Sequence, residues 1–144
     1  MRDAGLLARG DKMKGFLLFL VMAAMLAGCA ASRIRSQFNE RLGSYIGSLR
    51  LHDWDSAALF ASDRISDAFE RRVRAASGVR MVDCRVLDKT YDAKRLEGVA
   101  DVEIEYYRDS SPVVKTLHDR QKWEYLDENG SKRWRLVSLL PRFK

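Results

Sequence analysis

Two groups of residues in this 144-residue sequence have types and spacings that could carry chemistry. The first is Leu26-Ala27-Gly28-Cys29, in which a thiol directly follows two small residues. A thiolate is the nucleophilic form of cysteine, so Cys29 is a candidate for covalent modification. The second group is a set of polar and aromatic side chains that could line a pocket: Tyr106, Asp119, Trp123, Tyr125 and Trp134.

An uncharged apolar run at residues 16–26 precedes the first group, and Lys12 and Lys14 precede the run. A basic segment, a short apolar stretch and small residues at a cleavage point are typical of a secretory signal peptide. The run is too short to span a bilayer, which takes about 20 residues. On these residues, Leu26-Ala27-Gly28-Cys29 resembles the lipobox of bacterial lipoproteins. The resemblance implies that Cys29 receives a lipid carrying fatty-acyl chains such as palmitate, and that the chain is cleaved between Gly28 and Cys29.

The lipobox resemblance divides the chain into three segments. Residues 1–28 are expected to be a signal peptide, residues 29–32 a short lipidated tether, and residues 33–144 a single folded domain. The mixed charges of the first twelve residues are unusual for a signal peptide. Met13, which is followed by a lysine and the apolar run, is therefore an alternative start of translation.

Charge and the residue after the cysteine indicate the setting of the domain. Ala30 follows Cys29, whereas an aspartate there resembles an inner-membrane retention signal. In a Gram-negative host this implies the periplasmic face of the outer membrane. The net charge of +6 is mostly interspersed, and no basic stripe with stacking aromatics predicts a nucleic-acid partner. The expected partners are the membrane, through the lipid, and an envelope protein or an apolar ligand.

Periodicity predicts helices first and strands afterwards. Apolar residues from Ile34 follow the spacing of one helix face, with Ser32 as a plausible N-cap. The members of this stripe are Ile34, Phe38, Leu42, Tyr45, Ile46 and Leu49. Gly43 and Gly47 in the same helix suggest tight packing against a neighbour. Two shorter helices follow, capped by Asp53 or Asp55 and by Ser62 or Asp63, and Gly78 ends the last of them.

From Val79 the period changes to two, which is typical of half-buried strands. The alternating apolar positions are Val82, Cys84, Val86, Ala100, Val102, Ile104 and Tyr106. A long strand follows at residues 113–126, then an Asn129-Gly130 hairpin turn and a last strand carrying Trp134, Leu136 and Leu139-Leu140. The order predicts an α+β fold, in which N-terminal helices pack on a bent antiparallel sheet of about four strands.

The element order, the Asp-Trp-Asp-Ser-Ala-Ala-Leu-Phe segment at residues 53–60 and the closing residues 134–141 resemble the nuclear-transport-factor-like fold, or cystatin-like cone. The resemblance covers residues 33–143 and implies a pocket at the open end of a cone. Enzymes that resemble ketosteroid isomerases or dehydratases use interior Asp, His and Tyr side chains there. Strand parity places Asp119 with Trp123 and Tyr125, and His118 on the opposite face. Two interpretations of Asp119 are open. In one it is a general acid or base, and in the other it pairs with one of the many arginines.

The sequence assigns no catalytic residue, cofactor or metal. His52 and His118 are far apart, and no ligand spacing connects them. With Cys29 lipidated, Cys84 has no disulfide partner, and its strand parity predicts a buried, inert thiol. The expected function is a membrane-anchored, non-enzymatic binding or accessory domain. The alternatives are a small-molecule enzyme that uses Asp119 and a structural accessory of an outer-membrane assembly complex.

Overall fold

The computed structural model describes the backbone of residues 7–144 and the side chains of residues 14–19 and 32–144. The chain divides into two compact units, Met1–Ser36 and Gln37–Lys144. In the first unit, Phe16, Leu17, Leu18 and Phe19 are exposed. Within the described residues, no helix combines the length and apolarity needed to cross a membrane. The predicted lipobox residues 26–29 lie outside the described side chains, so lipidation of Cys29 stays a prediction.

The second unit combines helices with one antiparallel sheet, as the sequence predicts. The elements in chain order are α1 (Leu7–Arg50), α2 (Trp54–Ala58), α3 (Ser66–Ala75), β1 (Val79–Asp92), β2 (Glu97–Arg108), β3 (Ser111–Glu128) and β4 (Ser131–Leu136). The strands lie in the sheet in chain order, β1-β2-β3-β4, and each pairs with the next. The α+β prediction is therefore confirmed.

The predicted apolar stripe of α1 packs on the sheet. Five of its six members are buried: Phe38, Leu42, Tyr45, Ile46 and Leu49. The Phe38 ring lies 5.0 Å from that of Trp134 and 6.3 Å from that of Trp123. A one-sided sheet must bury its apolar face, and this stripe supplies the cover. The prediction that Ser32 caps a new helix is wrong, because α1 is continuous through that residue.

Close backbone approach occurs at a glycine of the sheet and not at the glycines of α1. A Cβ atom at Gly98 would lie 2.6 Å from the Phe38 ring, whereas Gly43 and Gly47 have nothing within 4 Å of such an atom. The expectation of tight packing at Gly43 and Gly47 is therefore wrong. Gly98 lets the Phe38 ring lie directly on the backbone of β2.

The alternation of β2 is confirmed, whereas that of β1 is interrupted. Ala100, Val102, Ile104 and Tyr106 are all buried. In β1 the register shifts between Met81 and Asp83 and again between Val86 and Asp88. A β-bulge inserts an extra residue and so changes which face the following side chains occupy. Val82, predicted as inward-facing, lies at the first bulge and is 50% exposed, while Cys84 is buried. Val86 keeps the predicted parity and pairs with buried Val102, but it lies on the edge strand and is 37% exposed.

The turns and caps agree with the sequence at some positions and differ at others. Asp53 caps α2, since its side chain accepts a hydrogen bond from the Ser56 backbone N–H at 3.0 Å. Asn129 and Gly130 both have positive φ, as a tight hairpin with the favoured twist requires. By contrast, α3 begins at Ser66 without a side-chain cap, so the predicted cap at Ser62 or Asp63 is wrong.

The chain beyond β4 also departs from the prediction. Leu139 and Leu140 lie outside any strand, because the last strand ends at Leu136. Leu140 and Phe143 are nevertheless buried, so the tail that carries them packs on the domain without pairing in the sheet.

A buried arginine ties the loop after α2 to the β3–β4 hairpin. Arg135 is 6% exposed and pairs with Glu128 through its Nε. Its Nη1 donates to the Leu59 carbonyl at 2.6 Å, and its Nη2 lies 3.2 Å from Asp63 Oδ1. All three nitrogen atoms of the guanidinium thus have partners, as a buried charge requires. We call Arg135, Glu128, Asp63 and Leu59 the Arg135 network.

Candidate functional site

Strand β3 places three large polar or amphipathic side chains on the face that α1 covers. Asp119, Gln121 and Trp123 alternate along the strand and are 8%, 1% and 1% exposed. His118 lies on the opposite face with an exposed side chain, 3.8 Å from Glu103. Side chains of a regular strand alternate between faces, so the parity expected for Asp119 and His118 from the sequence agrees with the structure.

The carboxyl group of Asp119 has a neutral partner. The Gln121 side-chain amide donates to Asp119 Oδ2 at 3.0 Å. Burial raises the pKa of Asp119 from its ordinary value near 3.8 to about 6, and the Gln121 hydrogen bond offsets only part of that rise. Among the described residues, no arginine forms an ion pair with this carboxyl group. The interpretation of Asp119 as an arginine partner is therefore wrong.

A tyrosine from α1 and a cysteine from β1 lie near enough to this carboxyl group for its charge to act on them. Burial raises the pKa of the Tyr45 phenol well above its ordinary value, and the nearby Asp119 and Cys84 raise it further. The pKa of the Cys84 thiol is raised to about 12, chiefly by burial. A thiol with that pKa stays protonated at neutral pH, which matches the expected inert cysteine. Cys84 is free and fully buried.

Several buried polar atoms at this place lack a hydrogen-bond partner among the described residues. They are the Tyr45 hydroxyl, the Gln121 Oε1 and the Trp123 Nε1. Buried polar groups in folded proteins almost always have a partner, so each exception calls for an explanation. We call Tyr45, Cys84, Asp119, Gln121 and Trp123 the Asp119 cluster. Its groups can donate and accept hydrogen bonds, and Asp119 can exchange a proton near neutral pH.

The remaining residues of the predicted pocket lie elsewhere along the helix-facing side of the sheet. Tyr106 holds the C-terminal tail, because its hydroxyl donates to the Lys144 carbonyl at 2.9 Å and its ring lies 5.0 Å from Phe143. Tyr125 and Trp134 are cross-strand partners whose rings lie 5.6 Å apart. The structure thus places Asp119 and Trp123 on the same buried face of β3, but Tyr106 belongs to the tail and Tyr125 to the hairpin end.

Sequence reasoning missed three members of the cluster as site residues, namely Tyr45, Cys84 and Gln121. The apolar pattern predicts Tyr45 as part of the core stripe of α1, where it does lie, and nothing in the sequence shows that it comes near a carboxyl group. Gln121 lies between Asp119 and Trp123 in the same parity. That position is a usable signal, since an amide on a buried strand face needs a polar partner.

Metal chemistry receives no support from the described residues, which contain no group of three or more potential ligands. His52 has a structural contact: its Nε2 accepts a hydrogen bond from the Met81 backbone N–H at 2.6 Å, next to the first bulge of β1.

Comparison with known proteins adds information on the fold. No protein-family model matches the sequence, and no curated protein matches it. Among solved structures, a SEC-C motif-containing protein from Psychrobacter arcticus matches with a TM-score of 0.55 and 8% identity, over 71% of this chain and 59% of that one. A SEC-C motif-containing protein from Rhodopseudomonas palustris matches with a TM-score of 0.49 and 16% identity, over 64% and 68% of the two chains. At such identities the Psychrobacter arcticus match shows a shared α+β fold.

Proposed function

We propose that this protein is a membrane-anchored envelope lipoprotein whose folded part is a non-enzymatic binding or accessory domain. The main observation behind this proposal is the segment Leu26-Ala27-Gly28-Cys29 at the end of an apolar, uncharged run. In a Gram-negative host, the proposed location is the periplasmic face of the outer membrane.

We further propose that the domain is a cystatin-like cone, with the sheet bent around α1. Two observations support this finer description. The stripe of α1 covers one face of the antiparallel meander, and bulges interrupt β1, the edge strand that would have to curve most.

Binding is favoured over catalysis because the domain's own side chains occupy most of the space between α1 and the sheet. The rings of Phe38, Tyr45, Trp123 and Trp134 contact one another there, and each is 1% exposed or less. A partner would therefore meet the outside of the domain. An envelope protein, including a component of an outer-membrane assembly complex, fits this arrangement.

A second candidate function is a small-molecule enzyme that uses Asp119. The observation that favours it is the carboxyl pKa of about 6, next to buried polar atoms without partners. A general acid or base works best when its pKa lies near the working pH. The two functions differ in their dependence on this residue. If the Asp119→Asn variant loses the native activity but keeps its envelope partners, that result would favour the enzymatic function.

The anchoring proposal is tested by metabolic labelling with palmitate. The protein has two cysteines, so the chain supplies its own control. We expect Cys29→Ser to lose the label and accumulate unprocessed, whereas Cys84→Ala, which changes a buried thiol, keeps it. Normal labelling of Cys29→Ser would overturn the proposal.

The accessory proposal is tested separately, by purifying the protein from native envelopes. Recovery of a defined membrane complex would support a structural accessory. Recovery of the protein alone, together with a native small molecule, would contradict it and favour a ligand-binding domain.

A further inference from the structure

A cavity of about 520 Å³ lies where the C-terminal tail crosses α3 and the end of β2. The Asp119 cluster contributes no residue to its walls. The lining residues are Arg72, Ala75, Ala76, Arg108, Pro141, Arg142, Phe143 and Lys144. Half of them have cationic side chains, no side chain among them is acidic, and the others are apolar.

The cations of this cavity have no acidic partner, whereas seven other arginines among the described residues have one. Ion pairs elsewhere among the described residues occupy Arg50, Arg64, Arg74, Arg80, Arg85, Arg120 and Arg135. In the same part of the chain, no carboxylate pairs with Arg72, Arg108, Arg142 or Lys144. Like charges gathered without a counter-charge repel one another, and a bound anion removes that cost.

Two of the cations are held in place by the tail itself. Arg108 Nη2 donates to the Phe143 carbonyl at 2.6 Å, and Arg72 Nη1 lies 3.4 Å from the Leu140 carbonyl. Each contact uses one of the five N–H donors of a guanidinium group, so the others stay available. The Lys144 carbonyl is bound by the Tyr106 hydroxyl and by Lys115 Nζ, each at 2.9 Å. The tail that forms one wall is therefore fixed at both of its ends.

We propose that this cavity binds a ligand that carries a phosphate group and an apolar portion. Guanidinium groups match phosphate oxygens with paired N–H donors, and several cations together suit a multiply charged anion. The volume lies in the range of small-molecule sites, about 300–1,000 Å³. It exceeds what inorganic phosphate fills, and Ala76, Pro141 and Phe143 supply an apolar wall for the remainder. A soluble organic phosphate and a phospholipid headgroup share this chemistry.

The test uses the full chain in nonionic detergent and phenyl phosphate as the soluble probe, followed by calorimetry. We expect saturable binding of phenyl phosphate. Inorganic phosphate should compete weakly with it, and phenol should not compete. Arg72→Gln should weaken binding about tenfold, as expected for loss of a charged hydrogen bond. Arg142→Gln should weaken it about threefold without disturbing the fold, because Arg142 is exposed and holds no part of the tail.

The matched control is Arg71→Gln, which removes the same charge from the exposed neighbour of Arg72 on α3. Its affinity should equal that of the wild type. Equal losses in Arg71→Gln and Arg142→Gln would mean attraction by net charge alone and would overturn the proposal.

A second arm distinguishes the two sources of phosphate. Vesicles of phosphatidylcholine with and without phosphatidic acid are mixed with the same variants. If the protein binds phosphatidic acid vesicles in a way that depends on Arg142 and does not bind phenyl phosphate, the ligand of the cavity is a lipid headgroup. Binding of neither probe by the wild type overturns the proposal.

Discussion

The Arg135 network and the Asp119 cluster are both buried and polar, yet they satisfy their charges in opposite ways. Arg135 has two carboxylates and a carbonyl around its guanidinium group. Asp119 has one neutral amide, and three polar atoms of its neighbours have no partner among the described residues.

The difference separates a structural role from a functional one. The buried charge of Arg135 has a structural explanation, because its complete set of partners fixes a loop against a hairpin. A buried carboxyl group without a counter-charge costs stability and is usually retained for another reason. Folding stability therefore does not explain why the Asp119 cluster is polar.

The largest expected effect comes from breaking the Arg135 network. Arg135→Met leaves Glu128, whose side chain is 10% exposed, without its cation. Removing one partner of a buried ion pair costs about 3–5 kcal/mol. Urea denaturation of the soluble domain beginning at Ser32 measures this cost. The control Arg64→Met, which breaks an exposed pair with Glu124, should cost under about 1 kcal/mol. Similar losses in both variants would show that the network is no more than a surface contact.

The packing that covers the Asp119 cluster is tested at Phe38. Phe38→Ala opens a cavity against Trp123 and Trp134 and should cost about 3–5 kcal/mol in the free energy of unfolding. Leu51→Ala, at a residue that is 80% exposed, provides the control and should change little. A loss well under about 1 kcal/mol for Phe38→Ala, measured by thermal melts, would contradict the packing of α1 on the sheet.

A smaller effect of opposite sign is expected at Asp119. Its pKa is about 6 in the folded protein and near 3.8 in the unfolded chain, so folding favours the protonated carboxyl group. Asp119 therefore destabilises the fold above about pH 6, by about 3 kcal/mol, and the penalty disappears as the pH falls toward about 4.

Asp119→Asn should remove this pH dependence and raise stability near neutral pH. Stability measured by urea denaturation across this pH range provides the test. The matched control is Asp101→Asn on the outer face, where the carboxylate pairs with Arg120 at 3.4 Å, and it should leave the slope intact. The same change of stability with pH in the wild type and in Asp119→Asn would contradict a buried, unpaired carboxyl group.

The smallest expected effect compares two buried tyrosines. Tyr45→Phe removes a hydroxyl without a partner among the described residues and should be neutral or stabilising by under about 1 kcal/mol. Tyr106→Phe removes a hydroxyl with two hydrogen bonds to Lys144 and should cost about 1–2 kcal/mol. Thermal melts of the two variants decide the matter, and equal costs would show that the Tyr45 hydroxyl has a partner in solution.

Much of the fold follows from local patterns in the sequence. The stripe of α1, the alternation of β2 and the Asn129-Gly130 turn each depend on neighbours within a few residues, so they can be predicted. The first bulge of β1 depends on pairing with another strand, and the exposure of Val82 could not be predicted for that reason.

The candidate site was predictable only in part. The parity of β3 identifies Asp119 and Trp123, but Tyr45 meets Trp123 from α1, which is a tertiary contact between residues far apart in the sequence. Arg135 was hidden for another reason: many arginines occur in this sequence, and only tertiary contacts distinguish the buried one. The contact of Gly98 with Phe38 likewise cannot be predicted from the sequence, because it depends on how α1 packs on the sheet.

The strand order has a consequence for how the domain folds. Each strand pairs with its successor through a turn of four, two and two residues, so the sheet can zip up from contacts that are short in sequence. Such closures cost little chain entropy and favour rapid folding. The contact between Phe38 and Trp134, in contrast, joins opposite ends of the domain. Docking of α1 on the finished meander is therefore the high-contact-order step, and the Asp119 carboxyl group loses its water only then.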